Sequence, residues 1–256
     1  MIKIASGFTG PGGSTVVFNT LVNLFNEHGM DACLYGTYKW EGIDCRFEYI
    51  DKLSNTKDDI LIYHYINFNP KPNAKKVILS CHETEIFRID RIKPKYDVVH
   101  FVSEFQKEWQ AVDGVVIPNP IRKFSPRTND GSKKVAGIIG SIDKNKRVHL
   151  SIERALKDGF TDIRLYGSLT DFPYFHEMIE PLLSDKVKLC GISKDMGNTY
   201  NQLTKVYHSS KQETFNLVKF ECMEAGVDYD GLEGNTTKAE YWTNERILEA
   251  WKKILN

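Results

Sequence analysis

The chain has 256 residues, of which 41% are apolar and 27% are charged, and its formal net charge is zero. This balance is typical of a globular protein and allows one large domain or two of about 125 residues each. Zero net charge excludes a global electrostatic field that would recruit nucleic acid, so we expect no nucleic-acid partner.

The cysteines and the amino terminus indicate a cellular compartment. The five cysteines are scattered, with no Cys-x-x-Cys pair and no Cys/His cluster at metal spacing, so we expect free thiols and no metal site. The chain begins directly with an apolar strand, and no apolar run approaches the ~18 residues of a membrane span. We therefore expect a cytoplasmic protein.

In the first half of the chain, apolar runs alternate with helical patterns. Val17, Leu21 and Phe25 share one face at helical spacing. The patterns predict strands at 2–6, 31–36, 59–65, 75–80, 96–103 and 115–118, and helices at 16–29 and near 104–111. Such alternation requires crossover connections, so we expect a parallel sheet with both faces covered, as in a Rossmann-like domain.

A glycine-rich loop, GFTGPGGST, joins the first strand to the first helix. It does not match Gly-x-Gly-x-x-Gly because Thr15 stands at the third glycine, and it does not match a P-loop because Gly13 replaces the lysine. Two interpretations stay open: a tight turn, or a loop whose backbone at Gly12 and Gly13 faces an anion or a substrate.

The polar segment 122–134 contains proline and an Asn-Asp-Gly turn signal, which fits an exposed linker. After it the alternation restarts and predicts strands at 134–140, 162–167, 186–191 and 204–209, and helices at 147–159, near 173–184 and at 240–255. We therefore predict an α/β fold with two Rossmann-like domains, 1–124 and 125–256, the second of which carries the C-terminal helix. Two such domains predict a ligand cleft between the carboxyl ends of two sheets.

The stretch 208–227 places two glutamates eight positions apart around an apolar run. A helix that begins at Asn216 or Leu217 would leave Glu213 in the loop ahead of it and Glu221 about one turn inside. The backbone N–H groups of residues 215–218 would then lie unpaired at the helix start, where a phosphate binds well. One carboxylate on each side of an anion site suits a nucleotide sugar. The alternative is an ordinary amphipathic helix with acidic residues in its first turn.

Taken together, residues 134–227 are similar to the C-terminal domain of family-4 retaining glycosyltransferases of the GT-B fold. The resemblance is carried by Gly140 followed by Lys146, by LYG at 165–167, by VKLCG at 187–191, and by the pair Glu213 and Glu221 followed by CMEAG. The order and the intervals of all four elements agree. Ser141 stands where the family has arginine, and Asn216 stands where it has glycine.

The first half resembles the same family more loosely. Residues 10–29 are similar to its double-glycine loop and first helix, and SCHETE at 80–85 is similar to a strand that ends in histidine. FVSEF at 101–105 and VIPNP at 116–120 match two further elements. The chain is shorter than is usual for the family.

The resemblance implies a role for each matched residue. Glu213 faces the transferred sugar, His82 lies near the reacting carbon, and Lys146 offsets the charge of the departing nucleoside diphosphate. Glu221 accepts hydrogen bonds from the ribose hydroxyls. The donor-binding set implied in this way is Glu221, Phe215, Asn216, Leu217, Val218, Ser141, Gly191, Gly12 and Gly13.

These implications predict a retaining glycosyltransferase of the hexosyltransferase type, with no cofactor and with a nucleotide sugar as co-substrate. We expect the transfer to be metal-independent, on the premise that the sequence contains no Asp-x-Asp triplet to hold a divalent ion against a diphosphate and no cluster of metal ligands. The acceptor is unknown: a glycan, a lipid-linked molecule or a small molecule. One alternative is a non-catalytic module that binds a nucleotide sugar or a partner enzyme. Another is a nucleotide-sugar hydrolase or epimerase on the same fold.

One further segment, EIFRIDRIKPK at 85–95, combines apolar and basic residues. A basic amphipathic segment of this kind can contact an anionic membrane surface or an anionic acceptor. The alternative is a solvated helix with an ordinary buried face. The sequence thus allows peripheral membrane contact of a cytoplasmic protein.

Overall fold

The computed structural model describes residues 1–54, 56–68, 71–83, 95–125, 133–232 and 239–256. Except for its last residue, the predicted membrane-contact segment 85–95 lies outside these residues. The chain divides into two compact units, Met1–Ile121 with Lys238–Asn256, and Arg122–Thr237. The first boundary thus falls three residues before the predicted one.

The first unit contains one parallel sheet with the strand order β3-β2-β1-β4-β5-β6-β7. Ile4 of the central strand is in register with Leu34 on one side and Ile62 on the other. Its elements are β1 (Ile2–Ser6), α1 (Gly13–Glu27), β2 (Ala32–Gly36), β3 (Phe47–Tyr49), a 3-10 turn (Ile50–Lys52), β4 (Ile60–His64), β5 (Lys76–Cys81), β6 (Val98–Phe101), α2 (Glu104–Gln110), β7 (Val115–Val116) and α7 (Asn244–Leu255).

The C-terminal helix α7 belongs to the core of this first unit. Its buried residues include Ile247 and Trp251, and Trp251 packs edge-on against Phe25 of α1 with ring centroids 6.0 Å apart. Asn244, at its start, accepts from the Ile121 amide at 3.2 Å and donates to the Ile121 carbonyl at 2.9 Å. This differs from the prediction, which placed the helix in the second domain, because its apolar face is satisfied by the first sheet.

The second unit repeats the topology in a smaller sheet, with the order β10-β9-β8-β11-β12. All strand pairs of this sheet are parallel. The predicted helix near 173–184 is a single turn, α4, that continues as a π turn at Phe175–Ile179 and a 3-10 turn at Glu180–Leu182. The other elements are β8 (Ala136–Ile139), α3 (Val148–Lys157), β9 (Ile163–Tyr166), α4 (Phe172–Tyr174), β10 (Val187–Gly191), α5 (Met196–Gln202), β11 (Lys205–His208), α6 (Leu217–Ala225) and β12 (Asp228–Gly231).

Both units are therefore Rossmann-like α/β layers, and the predicted fold class is confirmed. Central strands such as β1 and β2 are buried along their whole length, as expected when helices cover both faces of a parallel sheet. The five cysteines are unpaired. In the described part of the chain, no helix is both long and apolar enough to span a bilayer.

Candidate functional site

The loop between β11 and α6 holds Glu213 beside two cationic or polar partners. One carboxylate oxygen of Glu213 contacts the Lys146 ammonium group and lies 3.1 Å from Nε2 of His208. The side chain of Glu213 is 13% exposed and that of His208 is 5% exposed. The fold thus brings together two of the predicted residues and adds a third, His208, that the sequence analysis did not single out.

These partners keep Glu213 ionised. Burial by itself would raise the pKa of Glu213, but the charge of Lys146 and the hydrogen bond from His208 outweigh it and lower the pKa to about 2. A charged, partly buried carboxylate with a lysine ammonium group beside it can hold the hydroxyl groups of a ligand by charge-assisted hydrogen bonds.

Lys146 is positioned by the turn that leads from β8 into α3. Its amide donates to Oδ1 of Asp143 at 2.8 Å, and its methylene groups lie over Gly140. A second glycine, Gly167, follows the neighbouring strand β9 and packs against this turn. Glycine is required there because a Cβ at Gly167 would lie 1.8 Å from the Gly140 carbonyl oxygen. The two glycines that follow β8 and β9 thus let these strand ends approach closely and set the place of the Lys146 side chain.

Helix α6 begins at Leu217, one of the two starts that the sequence analysis considered, and Asn216 caps it. Asn216 has φ 62°, in the left-handed region, which asparagine tolerates better than most residues. Its Oδ1 accepts from the Lys219 amide at 3.2 Å, and its Nδ2 donates to the Tyr229 hydroxyl at 2.8 Å. The remaining first-turn amides, those of Leu217 and Val218, have no intrahelical acceptors and can bind an anion.

The side chain of Phe215 is buried at this helix start and does not face a ligand. Its ring is 2% exposed and packs against Phe220, with centroids 4.9 Å apart. Any contact of Phe215 with a ligand therefore comes from its backbone, which is the contact that the sequence analysis assigned to residues 215–218.

Glu221 lies in the second turn of α6 and is 3% exposed. Its Oε1 accepts from Arg122 twice, from Nε at 2.7 Å and from Nη2 at 2.6 Å. Its Oε2 accepts from the Tyr200 hydroxyl at 2.9 Å. Burial and then the charge of Glu221 raise the pKa of Tyr200 well above its ordinary value, so this hydroxyl stays a donor.

The arrangement leaves Glu221 with limited acceptor capacity. A carboxylate oxygen offers about two lone-pair directions, and Arg122 occupies both on Oε1. Oε2 retains one direction beside the Tyr200 bond. Sequence reasoning missed Arg122 and Tyr200 because neither belongs to a local motif: Arg122 is 99 positions from Glu221.

Ser141 and Gly191 complete the predicted set in the second unit. The Ser141 hydroxyl donates to the Asp143 carboxylate, so this position supplies a neutral donor that is already engaged. Gly191 ends β10 with φ 72°, and its carbonyl accepts from the Gly167 amide at 2.9 Å. Neither residue contacts Glu213 or Glu221 in the described part of the chain.

The sequence analysis overlooked an Asp-x-Asp triplet, Asp228–Asp230, which lies in β12. Asp230 pairs with Arg154 and, at 2.8 Å, with Lys205. The carboxylate of Asp230 is thus engaged by two cations. Among the described residues, no group of three or more His, Cys, Asp or Glu side chains is arranged to hold a metal ion.

In the first unit, Gly12 and Gly13 form the start of α1. Gly12 is the N-cap, no side chain caps the helix, and its first turn has no acidic residue. A Cβ on Gly12 would lie 3.0 Å from the ring of Phe8, so the loop backbone packs closely under that ring. The hydroxyl of Thr15 in the same turn is buried and has no hydrogen-bond partner among the described residues. Among the described residues, the first turn of α1 therefore has no side-chain cap.

His82 follows β5 and lies among aromatic rings. Its ring is edge-on to Phe18 at 4.9 Å and to His64 at 5.2 Å. Its Nε2 lies 3.0 Å from the Ser80 hydroxyl. Burial, followed by the neighbouring His64 and His100, holds the pKa of His82 well below its ordinary value, so the ring is neutral near neutral pH.

No protein-family model and no curated protein match the chain. Solved structures do match. HepE from Anabaena, in complex with UDP and glucose, is 14% identical with a TM-score of 0.67, and the match covers 100% of this chain and 89% of HepE. AviGT4, a glycosyltransferase involved in avilamycin A biosynthesis, is 18% identical with a TM-score of 0.71 and the same coverage of 100% and 89%.

A third match is WaaG, a glycosyltransferase involved in lipopolysaccharide biosynthesis. It is 15% identical with a TM-score of 0.62, and the match covers 100% of this chain and 90% of WaaG. The chain therefore shares the GT-B fold of these three proteins, and that part of the sequence-based expectation is confirmed.

Proposed function

We propose that the protein transfers a sugar from a nucleotide sugar to an acceptor, with retention of the anomeric configuration and without a metal ion. The observation that carries the proposal is the ionised Glu213, held by Lys146 and His208 directly ahead of the start of α6. The same fold in HepE, whose structure contains UDP and glucose, supports a donor of this class. At 14% identity, the similarity to HepE shows a shared fold, and the activity is tested by the experiments below.

In this proposal the diphosphate lies against the amides of Leu217 and Val218. Lys146 exchanges its contact with Glu213 for the departing phosphate, and its charge stabilises the leaving group. Glu213, released from that contact, accepts hydrogen bonds from the hydroxyls of the transferred sugar. These preorganised groups need little rearrangement when the charge develops.

Glu221 binds the ribose in the same scheme. Oε2 has one acceptor direction left beside the Tyr200 bond, which is enough for one ribose hydroxyl while Arg122 stays in place. A charge-assisted hydrogen bond of this type contributes roughly 1.5–3 kcal/mol. The ribose contact exists in the ground state and in the transition state, so Glu221 acts mainly on affinity.

The first test is thermal denaturation with UDP, other nucleoside diphosphates and UDP-glucose. A ligand at about 100 times its dissociation constant adds roughly 2.7 kcal/mol to the free energy of unfolding, which raises the melting temperature. Glu221→Ala should reduce the shift substantially, whereas Glu224→Ala, an exposed position on the same helix, should retain it. A full shift in Glu221→Ala would show that this glutamate does not bind the ribose.

The second test addresses the metal. Transfer or donor hydrolysis should proceed unchanged in excess chelator, and the anomeric proton coupling of the product should show retention. Activity that is lost on chelation and restored by a divalent cation contradicts the metal-free scheme and directs attention to Asp228 and Asp230. An inverted product contradicts retention alone.

A second candidate, a nucleotide-sugar-binding module without turnover, is favoured by one observation. At position 141, where the family resemblance implies an arginine, the Ser141 hydroxyl is engaged with Asp143 and offers no positive charge to a phosphate. Stabilisation by UDP, combined with no release of UDP from UDP-glucose in the presence or absence of acceptors, would identify this function.

A further inference from the structure

The carboxyl end of the first sheet contains a continuous hydrogen-bond chain through two histidines and a serine. His82 Nε2 lies 3.0 Å from Ser80 Oγ, Ser80 Oγ lies 2.8 Å from His100 Nδ1, and His100 Nε2 lies 2.8 Å from the Ile117 carbonyl oxygen. Ser80 and His100 are 1% and 2% exposed. This hydrogen-bond chain therefore runs through the interior and ends on a carbonyl oxygen, which can only accept a hydrogen bond.

The direction of every bond follows from that end. The Ile117 carbonyl has no proton, so His100 must donate to it from Nε2. Burial lowers the pKa of His100 to about 4, so the ring is neutral near neutral pH and its Nδ1 is an acceptor. The single proton of Ser80 is therefore directed to His100 Nδ1. Ser80 Oγ can then only accept from His82, which places the His82 proton on Nε2.

We propose that Ser80 and His100 are positioning residues that fix His82 as the neutral Nε2–H tautomer, so that its Nδ1 acts only as a hydrogen-bond acceptor. Such an atom suits a hydroxyl group of a sugar or an alcohol, which donates to it. The tautomer itself depends only on the hydrogen-bond chain. Its use in catalysis rests on the proposed function.

The groups around His82 are consistent with a neutral ring. His64, 5.2 Å away between ring centroids, has its Nε2 3.0 Å from Glu83 and its Nδ1 3.1 Å from Ser6. The Ser6 hydroxyl also donates to the Phe8 carbonyl at 2.6 Å, so its own proton is not directed at His64. His64 is therefore held by a different serine and a carboxylate, and Ser6 is a matched control for Ser80.

The test is ¹⁵N NMR of the full chain with labelled histidine, in which long-range couplings separate the two ring tautomers. His82 is assigned from the signal that is lost in His82→Gln, and His100 is assigned in the same way from His100→Gln. At neutral pH both rings should show a proton on Nε2 and none on Nδ1. Observation of His82 as the Nδ1–H tautomer, or as an imidazolium, would overturn the proposal without any variant.

The variants test the direction of control. Ser80→Ala removes the acceptor of His82 Nε2–H, so the His82 ring should change from one tautomer to a mixture, and His100→Gln should have the same effect through Ser80. Ser6→Ala should leave the His82 signals unchanged. A His82 tautomer that is unaffected by Ser80→Ala would show that other contacts fix the ring and would refute the role of Ser80.

Turnover of UDP-glucose separates this inference from the proposed function. Ser80→Ala should lower kcat and alter its pH profile, while stabilisation by UDP stays as in the unchanged protein because the proposed nucleotide contacts are in the other unit. If UDP does not bind at all, the proposed function fails, yet the tautomer of His82 is still decided by the NMR measurement. If turnover occurs with His82 in the other tautomer, this inference fails alone.

Discussion

At the scale of single residues, the candidate site depends on how charge is distributed around two glutamates. Glu213 has a mobile lysine and a histidine as partners, whereas Glu221 is held by Arg122 and Tyr200. The two carboxylates therefore differ in the hydrogen-bond acceptor positions that they can offer to a ligand. Glu213 can exchange a flexible ammonium group, and Glu221 keeps a rigid guanidinium and offers one remaining lone pair.

The lowered pKa of Glu213 predicts a pH-dependent contribution to stability. Its pKa falls from 4.5 to about 2 on folding, so its stabilisation is fully present above about pH 4.5 and is lost as the pH falls toward about 2. Glu213→Gln should reduce the free energy of unfolding of the second unit by on the order of 2–3 kcal/mol at neutral pH, and this difference should shrink through that window.

Denaturant unfolding between pH 2 and pH 7 measures this effect. The matched control is Glu177→Gln, because Glu177 is exposed in the same unit, and its stability should follow the unchanged protein at every pH. A difference between Glu213→Gln and the unchanged protein that is constant with pH would contradict the ion-pair account of Glu213.

At the scale of elements, the start of α6 combines a left-handed residue with a side-chain cap. Asn216 suits both demands, because asparagine tolerates positive φ and its side chain reaches the Lys219 amide. Glycine, which the family resemblance implies at this position, would satisfy only the first demand. The asparagine therefore makes the turn before α6 more rigid, and the Tyr229 bond adds to this.

Substitutions at Asn216 should separate the two demands. Asn216→Ala should destabilise the second unit by about 2–3 kcal/mol, since it loses the cap and keeps a Cβ in the left-handed region without the polar side chain that makes asparagine tolerant there. Asn216→Gly should cost less, because glycine adopts that region without strain. Chemical denaturation of the two variants gives the comparison.

Thr243, the N-cap of α7, provides the control. Its φ is −65°, and its side chain accepts from the Arg246 amide at 3.3 Å. Alanine there should lose only the cap, about 1 kcal/mol. At each position, the loss of stability in the alanine variant is compared with that in the glycine variant. If the difference between the two is the same at positions 216 and 243, the left-handed backbone at Asn216 carries no energetic cost.

At the scale of the whole molecule, the C-terminal helix connects the end of the chain to its first unit. Trp251 is 1% exposed and lies 4.6 Å from His100 and 6.0 Å from Phe25 between ring centroids. The Lys76 ammonium group also donates to the Ile254 carbonyl at 2.7 Å. The first unit is therefore complete only when the last helix has been added.

Trp251→Ala should therefore destabilise the first unit by about 3–5 kcal/mol, because it leaves a large cavity between α1 and α7. The stabilisation by UDP should persist, since the proposed nucleotide contacts lie in the second unit. Trp109→Ala, at a position that is 55% exposed, should change stability by no more than about 0.5 kcal/mol. Chemical unfolding of both variants, with and without UDP, measures the change in stability and the stabilisation by UDP. If Trp251→Ala loses the stabilisation by UDP, the nucleotide contacts are not confined to the second unit.

Local sequence patterns were enough to predict the α/β class, most strands and helices, and the start of α6 to within one residue. Apolar runs such as those in β1 and β4 are local signals, because most positions of a strand that is buried on both faces must be apolar. Lys146 and Glu213 come together because both residues follow strands of one parallel sheet, whose carboxyl ends meet at one edge.

Tertiary structure alone decided which groups occupy the carboxylates and where the last helix packs. Arg122 reaches Glu221 across 99 positions, and His100 controls the proton of His82 through a serine on the neighbouring strand. The helix at the C-terminus has an amphipathic pattern that fits either unit, and tertiary contacts such as those of Trp251 with Phe25 and of Asn244 with Ile121 assign it to the first. The periodicity of apolar residues predicts which face of a helix is buried. It does not predict which unit covers that face, because this depends on shape complementarity and on hydrogen bonds between residues that are far apart in the sequence.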